Sequence, residues 1–310
     1  MTRELTAIDL FSGAGGFALG LERVGFRIVG AIEDDLDSVE TIRFNRPSWP
    51  VSSSLVNSLM MDPPVDLLSA AIPSDLISEA SKVNPASTSN ALLALIDVVE
   101  SLRPAALVLL SVRGLAMKRH HDLLVHFLSE LRNLGYRVDQ RMVLGSDHGL
   151  LQERARLAIV GLQPRAFNQF DWPTPTARGA SVGEMLVDLM AAEGWPGAAP
   201  WASRAIGLAP TIVGGSKKHG GADLGPTRAK QAWLRMGIDP RGVADTAPVR
   251  STPLGVHPRL TNRMVARLQS FEDDWRFVGK KTSVFRQIAS ATPPVVAAAL
   301  GAAISEALRS

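Results

Sequence analysis

The sequence contains no cysteine among its 310 residues. This absence excludes disulfides, a thiolate nucleophile and any zinc site that depends on cysteine ligands. The six histidines are scattered, His120–His121 is the only adjacent pair, and no set of carboxylates accompanies them at metal-ligand spacing. We therefore predict that the protein holds no metal ion.

Long apolar runs are also missing. The longest one near the C-terminus, Val295–Ile304, is too short to cross a bilayer, and the opening Thr2-Arg3-Glu4 has no apolar signal core. Apolar residues make up 46% of the chain and charged residues 20%, which is typical of a soluble globular protein. We expect a cytoplasmic location without membrane contact. Lys and Arg exceed Asp and Glu by only 33 to 30, which permits a polyanionic partner without requiring one.

Strand-like and helix-like segments alternate through residues 1–162. Strands are predicted at 5–11, 27–32, 65–71, 106–112, 137–144 and 156–162, and helices at 17–24, 35–45, 92–102 and 121–134. This alternation predicts an α/β fold with a doubly wound, mostly parallel sheet.

The composition changes after residue 162. Pro, Gly, Ser and Ala crowd residues 163–256, which predicts a smaller, loop-rich second domain. A helical pattern returns after Pro258, and Pro293-Pro294 precedes a final amphipathic helix. We assign residues 1–162 plus 257–310 to the larger domain and 163–256 to the smaller one.

A glycine-rich turn follows the first predicted strand. Phe11, Gly13, Gly15 and Gly16 lie between this strand and a helix, a pattern typical of nucleotide-cofactor sites because the backbone can approach a ligand closely. Glu33 ends the next strand, where a carboxylate can accept hydrogen bonds from ribose hydroxyls. The alternative is that the glycines serve only a tight turn.

Three motifs in order give the chain a family resemblance. Asp9-Leu10-Phe11-Ser12-Gly13-Ala14-Gly15-Gly16-Phe17 resembles the opening motif of the DNA cytosine-5 methyltransferases, and Gln152-Glu153-Arg154-Ala155-Arg156 resembles their Gln-x-Arg-x-Arg motif. Residues 259–275 resemble the late helix of the family. The resemblance implies an S-adenosylmethionine-dependent methyltransferase fold with a smaller target-recognition domain. It also implies that S-adenosyl-L-methionine binds at the glycine turn and that the partner is double-stranded DNA.

The two positions that carry the family's chemistry depart from its pattern. The family uses a thiolate in a Pro-Pro-Cys-Gln loop to attack carbon 6 of a flipped cytosine, and Ser74 stands at that position here. The family's Glu-Asn-Val supplies a carboxyl group to the base, and Leu110 replaces its glutamate. We therefore predict that the chain has no catalytic residue.

Departures also surround the expected cofactor pocket. Ser54-Leu55-Val56 aligns with the family's Gly-Asp-Ile, and residues 289–294 align with its Gly-Asn-Ala-Val-Pro-Pro. The expected mobile loop at 76–90 contains no glycine. These changes predict a degraded S-adenosylmethionine pocket.

A basic, glycine-containing stretch at 211–235 is the candidate for contact with DNA. It carries one acid, Asp223, against several cations, of which Lys217, Lys218, Arg228 and Lys230 are the predicted DNA contacts. The alternative is a solvated loop with scattered charges. Arg154 and Arg156 are further DNA-binding candidates, with a structural, buried ion-pair role as their alternative.

Three functions fit these observations. The first is a catalytically inactive, DNA-binding or regulatory subunit in a restriction-modification or DNA-defence setting, acting with an active methyltransferase or a restriction subunit. The second is a cytosine-5 methyltransferase that is active only with a partner subunit or through altered chemistry. The third is a protein-interaction scaffold without DNA contact. The missing cysteine favours the first over the second, and the basic stretch favours it over the third.

Overall fold

The computed structural model describes residues 3–53, 64–72, 86–176, 180–213 and 222–310, with the backbone alone at 86–90. Its chain forms two compact units. The first comprises Met1–Val143, Ala155–Thr174 and Pro294–Ser310, and the second comprises Leu144–Arg154 and Pro175–Pro293.

The first unit is built on a seven-stranded sheet in the order β3-β2-β1-β4-β5-β7-β6. The strands are β1 Leu5–Leu10, β2 Phe26–Ile32, β3 Val51–Ser52, β4 Leu67–Ala71, β5 Ala106–Val112, β6 Arg137–Leu144 and β7 Ala155–Leu162. β1 to β5 pair in parallel, whereas β7 runs antiparallel to β5. The central strands are almost wholly buried, as expected for apolar strands that helices cover. The predicted α/β class with a mostly parallel sheet is confirmed.

The described residues of this unit form the helices α1 Gly16–Arg23, α2 Leu36–Asn45, α3 Ala86–Leu102, α4 His121–Asn133, α5 Pro164–Phe167 and α11 Pro294–Arg309. Apolar side chains of α3 and α4, among them Leu95 and Phe127, pack against the sheet in one core cluster. α1 lies unusually close to α11, because a Cβ at Gly20 would stand 2.4 Å from the Pro294 carbonyl oxygen and 2.5 Å from the Ala297 Cβ.

One helical stretch in the described ranges, Lys281–Arg309, has the length and composition to cross a membrane, with a mean hydropathy of 1.5. Of its most apolar window, 67% is buried inside the protein. The core helix of a soluble protein meets the same criteria, so this stretch is weak evidence for a span.

The second unit consists of short helices joined by long loops. The helices are α6 Val182–Ala191, α7 Ala198–Ala202, α8 Thr227–Arg235, α9 Asn262–Leu268 and α10 Lys281–Ser290. Four tryptophans are buried in this unit, Trp195, Trp201, Trp233 and Trp275, and they give a loop-rich segment a core of its own.

The bounds of this unit differ from the predicted domain. The prediction placed residues 257–293 with the sheet, whereas these residues join the second compact unit, together with 144–154 and without 163–174. The reason is the packing of α9 on α6. Arg267 of α9 donates to the Met185 carbonyl at 2.9 Å and forms an ion pair with Asp188 at 2.5 Å, and it also pairs with Asp273.

Candidate cofactor and DNA sites

The turn after β1 has the backbone conformation that its glycines allow. Gly13 has φ 52° and Gly15 has φ 83°, both in the left-handed region, and α1 begins at Gly16. Among the described residues, no atom lies within 4 Å of the position that a Cβ at Gly13 would take. Phe11 also has a positive φ, 55°, which is strained for a residue with a bulky side chain. Strain of this kind clusters at ligand sites.

Glu33 lies directly beside this turn. Its carboxylate accepts hydrogen bonds from the backbone N–H of Gly13 at 2.6 Å, of Asp34 at 3.0 Å and of Asp35 at 2.9 Å. Burial raises the pKa of Glu33 above its usual value, and the N–H donors of Asp35 and Gly13 oppose that shift. A carboxylate held against the turn in this way lies where a ribose hydroxyl can also donate to it. The structure thus brings the predicted cofactor residues together.

Sequence reasoning gave no role to Asp9, which is fully buried just before the turn. Ser69 of β4 donates to its Oδ1 at 2.6 Å, while Oδ2 has no hydrogen-bond partner among the described residues. Burial raises the pKa of Asp9 to about 7. The Ser12 hydroxyl donates to the Asp9 carbonyl and accepts from the Ile32 N–H, and so ties the turn to β1 and β2. The sequence signal that could have identified Asp9 was an acidic residue inside an otherwise apolar strand.

Leu110 occupies the position of the family glutamate, in the body of β5. It is 3% exposed, and its Cα pairs with Ala71 of β4 and Ala158 of β7. The neighbouring Ser111 is buried, and its hydroxyl has no hydrogen-bond partner in the part of the chain that the structure describes. The other family position, Ser74, lies outside the described residues, as do Ser54-Leu55-Val56 and most of the loop at 76–90.

The Gln152–Arg156 motif is divided between the two units. Gln152 donates to the Leu268 carbonyl and to Gln269 Oε1, and it accepts from the Ile212 N–H. Arg154 is 3% exposed. Its guanidinium donates to the carbonyls of Ile212 at 2.8 Å, Ala289 at 3.0 Å and Ala291 at 3.3 Å.

Arg154 therefore joins three separate segments of the second unit. This placement matches a structural role, although carbonyls rather than acids accept these hydrogen bonds, and a side chain that is 3% exposed is not presented to DNA. Arg156 differs, because no hydrogen bond or ion pair of its side chain occurs among the described residues, and burial lowers its pKa to about 10.

The remaining DNA candidates belong to the basic stretch. Lys217 and Lys218 lie outside the described residues. Lys230 of α8 forms an ion pair with Asp223 at 2.8 Å, so its charge is already balanced. Arg228, at the start of the same helix, is exposed.

No group of three or more His, Asp or Glu side chains that could hold a metal ion occurs in the described ranges. The described residues therefore offer two candidate sites. One is the glycine turn with the Glu33 carboxylate as an acceptor for ribose hydroxyls, in the first unit, and the other is the exposed basic helix α8, in the second unit.

Comparison with known proteins agrees with this geometry. The sequence profile of the family described as C-5 cytosine-specific DNA methylase matches residues 5–306. The chain is 44% identical to the Type II methyltransferase M.NaeI of Lentzea aerocolonigenes, covering 99% of this chain and 76% of that protein. It is 36% identical to the Type II methyltransferase M.NgoMIV of Neisseria gonorrhoeae, covering 99% of each.

Solved structures with the same fold are more distant in sequence. The Entamoeba histolytica methyltransferase EhMeth aligns with a TM-score of 0.68 at 12% identity, covering 99% of both chains. The Spodoptera frugiperda DNMT2 mutant aligns with a TM-score of 0.65 at 13% identity, covering 97% of this chain and 100% of that one. At these identities the similarity concerns the fold alone.

Proposed function

Because the chain belongs to the C-5 cytosine-specific DNA methylase family, we propose that it is a catalytically inactive member of that family which binds double-stranded DNA. It acts as a DNA-binding or regulatory subunit in a restriction-modification or DNA-defence setting. The two relatives named above are Type II methyltransferases, and this description supports the setting.

This proposal rests on the absence of two groups. The chain has neither a thiolate nucleophile at position 74 nor a carboxyl group at position 110 to contact the cytosine. The sequence has no cysteine at all. The hydroxyl of Ser74 is a poor nucleophile near neutral pH without a neighbouring base. Leu110 is enclosed in β5 and offers nothing to protonate or orient a cytosine ring.

The glycine turn supports binding of S-adenosyl-L-methionine. No atom of the described residues lies within 4 Å of the Cβ position at Gly13, and the Glu33 carboxylate accepts from the N–H of the same residue, where a ribose hydroxyl can also donate to it. When bound, this cofactor supplies an electrophilic methyl group to members of the family. In this chain the turn and Glu33 would hold the nucleoside end. The substitutions at 54–56 and 289–294 weaken the rest of the pocket.

The outer face of α8 supports the DNA-binding part of the proposal. Arg228, Gln231 and Arg235 are all exposed at spacings of three and four residues, while Trp233 is fully buried on the opposite side. Arg228 and Arg235 are separated by about 10 Å along the helix, which equals roughly three base-pair steps. Arginine reads guanine edges and glutamine reads adenine edges in the major groove.

A tritium-transfer assay on mixed genomic DNA tests the chemical half of the proposal. We expect no incorporation of label by the purified chain, in parallel with an active family member as the positive control. Ser74→Cys should remain inactive, because Leu110 still replaces the glutamate. Label above background that disappears in Ser74→Ala would instead establish an active methyltransferase.

An electrophoretic mobility shift at low and high salt tests the DNA half. We expect the wild-type chain to retard duplex DNA at low salt and to release it as salt rises. If no duplex is retarded at low salt, the protein-interaction scaffold replaces this proposal. Calorimetric titration with S-adenosyl-L-methionine then reports on the cofactor turn independently of DNA.

A further inference from the structure

β6 is the last strand of the sheet, and no strand of the described residues pairs with its outer side. Its eight residues, Arg137–Leu144, are mostly exposed, and only Val143 is buried. A long exposed edge strand presents a row of backbone N–H and C=O groups that can pair with another chain. The strand at the opposite edge, β3, has only two residues. β6 is therefore the edge at which this sheet can be extended.

Two hydrogen bonds show which backbone groups of β6 point outward. Gly145, directly after the strand, donates its N–H to the carbonyl of Arg154, the residue before β7, at 2.7 Å. The N–H of Gln140 donates instead to the carboxylate of its own neighbour Asp139, also at 2.7 Å. Along an extended strand the N–H and C=O of one residue point to the same side, and this side alternates from residue to residue. The odd-numbered residues therefore face β7, and the backbone groups of residues 138, 140 and 142 face outward.

The strand also carries two opposite charges that no side chain of the described residues balances. Asp139 and Arg141 lie on the same face of β6, and neither forms an ion pair within the ranges that the structure covers. Trp172 contacts both, because its indole N–H donates to Asp139 at 2.7 Å and its ring centroid lies 5.2 Å from the Arg141 guanidinium carbon. The indole thus holds both side chains on one face and leaves the guanidinium N–H groups available to a carboxylate.

A second strand of the same sequence satisfies both the backbone groups and the charges. When two β6 strands pair in antiparallel fashion about a two-fold axis at Gln140, this residue faces its own copy and Val138 faces Met142. These outward-facing residues then take the hydrogen-bonded positions of the new ladder. Asp139 of each copy faces Arg141 of the other at the non-hydrogen-bonded positions, where facing side chains approach most closely. The symmetry repeats this contact, so two ion pairs form.

We propose that β6 is an interface between two copies of this chain, which dimerise by antiparallel pairing of their β6 strands centred on Gln140. The sheet then continues from one copy into the other. The proposal goes beyond the proposed function, because it requires neither the cofactor turn nor contact with DNA. Self-complementary charge on an open edge is the argument for a second copy as the occupant.

Charge reversal tests the interface by sedimentation velocity without DNA. We expect the wild-type chain to convert from monomer to dimer as its concentration rises through the micromolar range. Asp139→Arg sets arginines opposite each other and Arg141→Asp sets acids opposite each other, so each variant alone should stay monomeric. An equimolar mixture of the two variants should dimerise, because every facing pair is then of opposite charge. Asp97→Arg reverses an exposed acid of α3 and should dimerise like the wild type.

The mixture distinguishes this interface from a general effect of charge or a folding defect. Restored association requires that positions 139 and 141 of different copies meet. A wild-type chain that is monomeric at its highest soluble concentration overturns the proposal. A wild-type dimer together with single variants that still dimerise, or with a mixture that stays monomeric, overturns it as well.

The absence of cysteine allows a second test that leaves both charges in place. Gln140→Cys puts one thiol of each copy at the two-fold axis, where the Cα atoms of facing residues are about 5.5 Å apart, a distance that a disulfide spans. We expect mild oxidation to link two copies, as seen by non-reducing electrophoresis, whereas Asp97→Cys should not link. No linkage of Gln140→Cys, or equal linkage of the two variants, contradicts the interface.

Discussion

The carboxyl of Asp9 links the chemistry of one residue to the pH dependence of the whole fold. The folded protein holds its pKa at about 7 because of burial, against an ordinary value of 3.8. A raised folded-state pKa means that the contribution to stability is fully present below the unfolded pKa. It is lost as the pH rises through the folded pKa.

We therefore predict that the free energy of unfolding of the wild-type protein falls between about pH 4 and pH 7. This group alone contributes on the order of 4 kcal/mol, from about 1.4 kcal/mol per pKa unit. Asp9→Asn should lose that part of the pH dependence and should be more stable than wild type at pH 8. Urea unfolding at several pH values measures this, with the exposed Asp171→Asn as control. Parallel curves for wild type and Asp9→Asn would show that Asp9 does not titrate in this range.

Single residues also show which contacts the local sequence does not predict. The sequence pattern predicted the strands 106–112 and 137–144, and both bounds agree with the structure. Nothing local distinguishes Arg154 from Arg156, two residues apart in one motif. Their difference arises from carbonyls more than 50 positions away along the chain, at Ile212, Ala289 and Ala291. Such contacts have no periodicity that a single sequence reveals.

At the scale of helices, α1 and α11 are in contact through Gly20. A Cβ there would overlap the backbone of Pro294, which cannot move aside as a flexible side chain does. We predict that Gly20→Ala lowers the free energy of unfolding by about 1–3 kcal/mol, the typical cost of overpacking. Gly255→Ala is the matched control, because its Cβ would meet no atom of the described residues within 4 Å. Chemical denaturation of both variants measures the difference, and equal stabilities would mean that the helices separate at little cost.

The helix α8 gives a prediction about sequence preference. Arg228→Ala, Gln231→Ala and Arg235→Ala should each relax the preference at one base pair, at a cost of about 1–3 kcal/mol on the preferred site. Selection of bound duplexes from a random pool reads out the preference. Arg250→Ala removes an exposed arginine elsewhere in the same unit and should leave the preference unchanged. Wild-type preference in all three α8 variants would exclude this face from base recognition.

For the whole molecule, the total number of phosphate contacts determines how steeply the affinity for DNA falls as the salt concentration rises. We predict that the combined change of Lys217→Ala and Lys218→Ala weakens binding to every duplex alike and reduces the slope of log affinity against log salt by almost 2. Fluorescence anisotropy over a salt series measures the slope. Arg250→Ala is the control, because Arg250 is exposed elsewhere in the same unit, outside the basic stretch. An unchanged slope in the double variant would place the phosphate contacts elsewhere.

The division into two units was the part of the architecture that composition predicted least well. The loop-rich character of residues 163–256 predicted a second domain, but not that α9 and α10 join it. The deciding interactions are those of Arg267 on α9 with Asp188 and the Met185 carbonyl of α6. These partners lie about 80 positions apart in the sequence, and only the folded chain reveals that they meet.

The contact between α1 and α11 can form only late in the synthesis of the chain. About 270 residues separate the end of α1 from the start of α11, which takes a ribosome roughly 15–55 s to translate. During that interval the small-residue face of α1 around Gly20 has no partner. The nascent chain must keep this face from associating with other nascent chains, and synthesis that stalls before Pro294 leaves it uncovered. Ribosome pausing in the second unit should therefore increase aggregation more than pausing after α11 has emerged.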